Sequence, residues 1–151
     1  MEIFLGLLIG VLPVMYYSFR RTFFLYKLFL SLLSPTRLKA AGYKIRFCTN
    51  EDQCSREQLV NKLRGFGFNL SSSEVFAPAP NARKILEERN LRPFLLIHPG
   101  GIPEFEGLDC HDPNCVVIGA AEELLTYDNM NKAFRVLLNS SNPVLLATGY
   151  G

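Results

Sequence analysis

The chain has 151 residues, of which 48% are hydrophobic and 20% are charged, and its formal net charge is +2. This composition is that of a globular protein with a sizeable core, and it excludes wholesale disorder. The charge is uneven: residues 1–50 hold seven Lys and Arg against one Glu (+6), whereas residues 51–151 hold nine against thirteen Asp and Glu (−4). Because the folded part is net acidic, a nucleic-acid-binding surface is not expected.

The first 35 residues are strongly hydrophobic. Seventeen uncharged residues, Ile3–Phe19, precede Arg20 and Arg21, and a second apolar stretch that carries Lys27 follows at residues 22–33. A spanning helix needs about 17 to 25 residues, and the arginines favour a body that faces the cytoplasm. Two interpretations of residues 1–35 stay open: a membrane anchor through residues 3–33, or a non-native N-terminus that has replaced another first strand.

The most informative segment is 44–58, KIRFCTNEDQCSREQ. It predicts a short apolar strand over Lys44–Cys48 that runs directly into Thr49 and Asn50. Ser55 and Gln58 then form a capping-box pair that opens a helix. Small polar side chains beside free backbone N–H groups are typical of a phosphate-binding site.

The rest of the chain alternates short apolar strands with amphipathic helices. A helix over Ser55–Arg64 is followed by predicted helices over Asn81–Arg89 and Thr126–Leu138. Tyr127, Met130, Ala133, Phe134, Leu137 and Leu138 are expected to form one apolar stripe on the last of these. Strands are predicted over FLLIH (94–98), NCVVIG (114–119) and PVLLATG (143–149). This alternation predicts an α/β fold with a largely parallel sheet.

Three further groups of side chains are candidate sites. Zinc would accept the donors of the DCHDPNC loop, but their spacing matches no strong metal pattern, and a surface loop is favoured. The acidic side chains of residues 104–112 are interpreted as a solvated rim rather than a magnesium site. His98, at a strand end, could contact a substrate, but a structural histidine is favoured. These residues are Cys110, His111, Asp112 and Cys115 for the loop, and Glu104, Glu106, Asp109 and Asp112 for the rim.

The cysteines are spread through strand, turn and loop contexts. They are Cys48, Cys54, Cys110 and Cys115. In a domain of this size, reduced thiols are favoured over a disulfide framework.

Six segments taken together and in order, KIRFCTN, APAP, RPFLLIH, DPNCVVIG, MNKAFRVLL and PVLLATGYG, resemble the haloacid dehalogenase (HAD) superfamily of phosphatases over about residues 36–151. The resemblance is to members that use Mg²⁺ to hydrolyse P–N and P–O–P bonds, and it implies a cytoplasmic or nuclear location. It implies a partial HAD-like, Rossmann-like core over residues 36–75 that lacks its first strand. A nearly complete α/β cap over residues 76–141 and a strand returning to the core over residues 142–151 would follow.

The resemblance also assigns roles to residues of this chain. Thr49 matches the hydroxyl that contacts phosphate, Asn50 matches a substrate contact, and His98 would be a contact from the cap. The ligand would be a phosphate-containing small molecule or a phospho-amino acid.

The same resemblance implies residues that this sequence lacks. The family attacks phosphorus with an aspartate that precedes KIRFCTN, and its lysine and metal-binding acids follow the strand that here ends in ATGYG. The only acid before Glu51 is Glu2, which no second acid accompanies. We therefore expect no catalytic residue, no Mg²⁺ ligand and no hydrolysis by this chain alone. The alternative is a non-catalytic cap module that forms homodimers, or mixed dimers with a full-length relative.

Overall fold

The structure is a computed structural model that describes residues 2–6 and 35–149. The chain divides into two compact units. Unit 1 comprises Met1–Asn50 and Glu57–Phe76, and unit 2 comprises Glu51–Arg56 and Ala77–Gly151. Each unit contains a three-stranded sheet in which every described pairing is parallel.

Unit 1 contains the sheet β1-β2-β3, whose strands are Glu2–Gly6, Lys44–Cys48 and Val75–Phe76. Helix α1, Arg56–Gly65, and a 3-10 turn, Ser72–Glu74, connect β2 to β3, and residues 35–40 are helical. Ile45 and Phe47 alternate along β2 and are fully buried, and Phe47 meets Phe68 edge to face with ring centroids 6.3 Å apart. Helix α1 begins directly after Ser55, where the capping-box pattern placed its start.

The core was expected to lack its first strand, and strand β1 shows that this expectation is wrong. Glu2 lies opposite Lys44 and Gly6 lies opposite Cys48, so residues 2–6 fill the position beside β2 that was expected to be empty. The first residues of the candidate membrane anchor, which was one of two interpretations left open, are therefore a strand. Periodicity could not show this, because a continuous apolar run in a sequence is compatible with a strand of a parallel sheet and with a buried helix alike. The remainder of the anchor, residues 7–33, lies outside the described residues.

None of the helices in the described residues has both the length and the apolar character that a bilayer-spanning segment requires.

Unit 2 contains the sheet β4-β5-β6, whose strands are Pro93–Leu96, Cys115–Ile118 and Val144–Ala147. Helix α2, Pro78–Glu88, covers one face, where Ala82 and Leu86 pack with Val117. Helix α3, Tyr127–Asn139, covers the other face, where Ala133 packs with Leu96 and Val116. Two 3-10 turns, Pro99–Phe105 and Glu122–Leu124, follow β4 and β5. Unit 2 is thus a helix–sheet–helix sandwich, and the predicted α/β class is confirmed.

The helices of unit 2 begin close to the predicted residues. Helix α2 starts at Pro78 rather than Asn81, because a proline at the first position of a helix already has the helical φ angle. Helix α3 starts at Tyr127, and the hydroxyl of Thr126 accepts the N–H of Asn129 at 3.2 Å, as the capping prediction required.

Strand β6 differs from its predicted place. It was expected to return to the core, but it pairs with β5, with Cys115 opposite Val144 and Ile118 opposite Ala147. Strand β5, helix α3 and strand β6 form a crossover unit, and such a unit returns the chain to the sheet from which it left. The sequence shows the strand and the helix, but it does not show which sheet receives the strand.

Glu74 links two parts of unit 1. Its carboxylate accepts hydrogen bonds from Lys39 Nζ at 2.9 Å and from the N–H of Ser71 at 2.8 Å. Burial raises the pKa of Glu74, but the bonds from Lys39 and Ser71 outweigh burial and hold that pKa below its ordinary value of 4.5. Because the folded-state pKa is lowered, the carboxylate stabilises the fold above about pH 4.5, and this contribution is lost as the pH falls through the folded-state pKa.

Glu74→Gln is therefore expected to lower the free energy of unfolding by about 0.5–1.5 kcal/mol near neutral pH and by clearly less near pH 3. Urea denaturation at both pH values measures the difference. Glu123→Gln, at an exposed acid, is the control and should change the free energy by less than about 0.5 kcal/mol. An equal loss at the two pH values would contradict the pairing described for Glu74.

Candidate phosphate-binding site

The two residues predicted to contact phosphate lie at the carboxyl end of β2. The N–H of Thr49 donates to the carbonyl of Phe76 at 3.0 Å, which extends the β2–β3 ladder by one residue and fixes the backbone there. Thr49 is half-buried and Asn50 is exposed. Ligands of parallel α/β sheets bind at this edge, where loops and strand ends present polar groups.

The register of β1 decides which groups accompany Thr49. Gly6 ends β1 opposite Cys48, the residue before Thr49, whereas Glu2 lies opposite Lys44 at the far end of the strand. At about 3.3 Å per residue, the four residue steps from Glu2 to Gly6 correspond to about 13 Å. The sequence contains no Asp or Glu from residue 3 to residue 50. Neither β1 nor β2 therefore carries a carboxylate at the edge where Thr49 lies.

The residues at this edge do not fit Mg²⁺. Magnesium is held in proteins by carboxylates together with other oxygen ligands in octahedral geometry. The ends of β1 and β2 offer a hydroxyl and an amide, and the described residues contain no group of three or more His, Cys, Asp or Glu that could hold a metal ion.

The segment directly after Asn50, Glu51–Arg56, belongs to unit 2 and is called the docked segment below. Asp52 lies at the carboxyl ends of β5 and β6: its Oδ2 accepts the hydroxyl of Thr148 at 2.8 Å and the N–H of Ala120 at 3.1 Å. Asp52 and Thr148 were not among the residues predicted from the sequence, because they are 96 residues apart. The glycine directly after β5, Gly119, is the sequence signal for this contact, because a Cβ atom there would lie 3.0 Å from Asp52 Oδ2.

Glu104 was interpreted as part of a solvated rim, and for this residue the interpretation is wrong. Its side chain is 8% exposed, accepts the backbone N–H of Arg56 at 2.9 Å and forms an ion pair with the Arg56 guanidinium at 3.3 Å. The carbonyl of Glu104 also accepts a hydrogen bond from Arg83 at 2.6 Å. A buried carboxylate needs such a partner, but Arg56 is 48 residues away in sequence, so no local pattern identifies it.

His98 is held by its own loop. Its Nδ1 accepts the N–H of Gly100 at 3.0 Å, and its Nε2 lies 3.8 Å from Glu122 Oε2. This backbone bond is what the structural interpretation of His98 anticipated. A contact between His98 and a substrate stays a prediction.

The candidate zinc ligands of the DCHDPNC loop do not share one environment. His111 is exposed and its Nδ1 lies 3.1 Å from Asp109 Oδ1, while Asp112 pairs with Arg92 at 3.2 Å. Cys110 is exposed, whereas Cys115 is buried on β5, and burial raises the pKa of the Cys115 thiol to about 11. Cys115 is thus a protonated, inert thiol at neutral pH. All four cysteines are free thiols.

Comparison with known proteins establishes the class. Residues 35–124 match the family described as haloacid dehalogenase-like hydrolase, which is more than half of the chain. The chain belongs to this family, and the resemblance drawn from its motifs is confirmed.

The similarity extends to particular relatives. Proteins of Danio rerio and Homo sapiens, each named phospholysine phosphohistidine inorganic pyrophosphate phosphatase, are 54% and 51% identical to this chain over 121 residues. Those residues are 80% of this chain and 45% of each relative, so the chain spans less than half the length of the curated relatives it matches.

Solved structures agree with the assignment of the fold. A p-nitrophenyl phosphatase from Archaeoglobus fulgidus, 29% identical, superposes with a TM-score of 0.67 over 78% of this chain and 47% of that one. A Bacillus subtilis chain with 18% identity has the same fold, with a TM-score of 0.74 over 98% of this chain and 55% of that one.

A substitution at Gly119 tests the packing around Asp52. A Cβ atom at Gly119 would press against Thr148 Oγ1 and would lie 3.0 Å from Asp52 Oδ2. We expect Gly119→Ala to lower the free energy of unfolding by about 1–3 kcal/mol, the usual cost of overpacking. Chemical denaturation measures this effect.

Gly65→Ala is the matched control. Gly65 ends α1, and a Cβ atom there meets nothing within 4 Å. Since alanine loses less conformational entropy than glycine on folding, this variant should be stabilised by about 0.4–1 kcal/mol. Equal effects of the two substitutions would show that the strand ends are not packed as described.

Proposed function

We propose that this chain binds a phosphate-bearing ligand through Thr49 and Asn50 and does not hydrolyse it. The observation that carries the proposal is the β1–β2 register, which places Gly6 beside the candidate site and Glu2 at the other end of the strand. A hydroxyl and an amide can donate hydrogen bonds to phosphate oxygens. Neither is the activated nucleophile that a phosphoryl transfer through an enzyme intermediate requires.

Loss of the carboxylate removes more than one contribution to catalysis. In the mechanism expected of the family, a carboxylate forms the covalent acyl phosphate, and further carboxylates hold the Mg²⁺ that neutralises the transferred group. Without these acids at the edge where Thr49 lies, the chain can bind a phosphate group but lacks the groups that would cleave it. The ligand class follows from the printed names of the relatives: a phosphoryl group on an amine nitrogen, or on a second phosphate as in pyrophosphate.

Calorimetric titration with inorganic pyrophosphate tests the binding. Thr49→Val removes the hydroxyl with little change in shape, and Asn50→Ala removes the amide. Each substitution is expected to weaken pyrophosphate binding about 10-fold, the value of one hydrogen bond to a charged group. Asn69→Ala, at an exposed asparagine of unit 1, is the control and should leave the affinity unchanged. Equal affinities of all four proteins would contradict the assignment of the site.

Hydrolysis is tested on the same full chain with Mg²⁺, pyrophosphate and phosphohistidine. We expect phosphate release no faster than in a protein-free control, while the human relative serves as the positive control. Mg²⁺-dependent release that Thr49→Val abolishes would overturn the non-hydrolysing proposal.

A second candidate function is self-association through an apolar surface of unit 2. Helix α3 was predicted to carry one apolar stripe, but the structure divides it: Ala133 faces the core, whereas Tyr127, Phe134 and Leu138 are 82%, 58% and 66% exposed. Met130 lies on the same outer stripe, and Leu145 of β6 is exposed on the sheet face that α3 covers. Contiguous exposed apolar side chains of this size mark interaction surfaces.

The charges of α3 favour a second copy of the chain as the partner. Asp128 and Arg135 are two turns apart on the same flank of the stripe. When two α3 helices pack antiparallel about a two-fold axis through the middle of the stripe, Asp128 of each copy comes opposite Arg135 of the other. Such an interface is self-complementary, as an isologous contact must be.

Sedimentation of charge variants tests this surface. Arg135→Asp is expected to weaken the dimer about 10-fold or more by placing like charges together, and Asp128→Arg with Arg135→Asp is expected to restore it. Lys132→Ala, on the exposed polar side, should leave the dimer unchanged. Sedimentation of the unchanged chain as a monomer at every concentration would exclude this second function.

A further inference from the structure

Phe76 ends β3 at the same sheet edge as the candidate phosphate contacts. The register places Gly6, Cys48 and Phe76 side by side across the three strands, one residue before Thr49. Gly6 has no side chain and Cys48 has a small one, so Phe76 is the one large side chain of this row. Thr49, Asn50 and Phe76 all belong to unit 1.

The backbone holds Phe76 next to Thr49. The N–H of Thr49 donates to the carbonyl of Phe76 at 3.0 Å, so the two main chains are in direct contact. Neighbouring strands lie about 4.8 Å apart and successive residues about 3.3 Å apart, which places the Cα atoms of Thr49 and Phe76 about 6 Å from each other. A substituent carried by a phosphate group at Thr49 can therefore reach the side chain of Phe76.

The ring of Phe76 is 40% exposed, whereas Val75, the residue before it on β3, is buried. This difference follows the alternation of a strand: Val75 pairs with Phe47 on the core face, and Phe76 lies on the other face. Ligand sites combine apolar and aromatic side chains with a few polar groups that fix the orientation of the ligand. The end of β2 supplies the polar groups, and the end of β3 supplies the aromatic one.

Phe66 offers a matched comparison within unit 1. It is 45% exposed and directly follows α1, so exposure alone does not distinguish it from Phe76. The two differ in position. Because β3 is parallel to β2, the connection between them must carry the chain back from the carboxyl edge to the amino edge of the sheet. Phe66 lies past the helix on this returning connection, away from the strand end where Thr49 lies.

We propose that Phe76 is a specificity-determining residue of the candidate phosphate-binding site and that it favours a phosphoryl group carried by a flat ring, such as the imidazole of phosphohistidine. This inference rests on the proposed phosphate-binding function. Aromatic rings pack offset-stacked or edge to face with centroids about 4.5–7 Å apart, and such a contact strengthens binding about 2- to 10-fold. Pyrophosphate has no ring, so it gains nothing from Phe76.

Calorimetric titration of the full chain with three stable phosphates tests the role. Phenyl phosphate carries a flat ring, cyclohexyl phosphate carries a puckered ring of similar size, and pyrophosphate carries none. We expect the unchanged chain to bind phenyl phosphate about 2- to 10-fold more tightly than cyclohexyl phosphate. Phe76→Leu should abolish this preference without changing the affinity for pyrophosphate, and Phe76→Tyr should retain the preference.

Phe66→Leu is the control, because it removes a ring of similar exposure from the same unit, and it should leave all three affinities unchanged. Proton NMR of phenyl phosphate supplies a second readout. The phenyl protons of the bound ligand are expected to shift in the ring current of Phe76. This shift should disappear in Phe76→Leu and persist in Phe66→Leu.

The outcomes separate this role from the proposed function. If the unchanged chain binds none of the three phosphates, the proposed function and the role of Phe76 both fail. If it binds pyrophosphate but binds phenyl and cyclohexyl phosphate equally well, the role of Phe76 alone is wrong. Equal weakening of all three ligands by Phe76→Leu would also overturn the role, because Phe76 would then support the fold and not the choice of ligand.

Discussion

Parallel pairing of β1 with β2 is the constraint on which the interpretation of this chain depends. In a parallel sheet the carboxyl ends of all strands lie at one edge, so each strand contributes chemistry only through the residues at its own carboxyl end. Strand β2 contributes Thr49 and Asn50 after Cys48, and β1 ends in Gly6. Because the register fixes Glu2 opposite Lys44, the one acid of β1 is held at the opposite edge. The proposed absence of hydrolysis rests on this placement, because neither β1 nor β2 has a carboxylate beside Thr49.

Unit 2 is built by the same rule but uses its carboxyl edge differently. Its three strand ends receive a segment of the chain itself, bound by Asp52, Gln53 and Arg56. The buried side chains of Glu104 and Thr148 both bind residues of this segment. Their hydrogen-bonding groups are therefore satisfied within the protein. The carboxyl edge of β4, β5 and β6 is the kind of sheet edge that usually binds ligands. Here it binds the docked segment, which directly follows Thr49 and Asn50.

Much of this architecture could be predicted from the sequence, for identifiable reasons. Local patterns located α3 and its cap at Thr126, the strand before Thr49, and the start of α1 after Ser55. The motifs together identified the family. The predictions failed where the outcome depended on distant partners.

Two failures show the physical limit. The apolar residues 3–6 were compatible with a helix or a strand, and only the presence of β2 beside them decides the question. Glu104 looked like a surface acid because its partner, Arg56, is 48 residues away. The predicted apolar residues of α3 are present, but Ala133 faces the core while Tyr127, Phe134 and Leu138 are exposed, and the sequence does not show which of them stay outside.

Phosphorus NMR of one sample that contains the full chain, Mg²⁺ and inorganic pyrophosphate tests directly whether the chain binds pyrophosphate without cleaving it. We expect the pyrophosphate resonance to shift or broaden as the ligand binds, Thr49→Val to reverse this change, and no orthophosphate resonance to grow with time. Growth of an orthophosphate resonance that depends on Thr49 would overturn the proposed function, because a group able to attack phosphorus would then have to lie beside that hydroxyl.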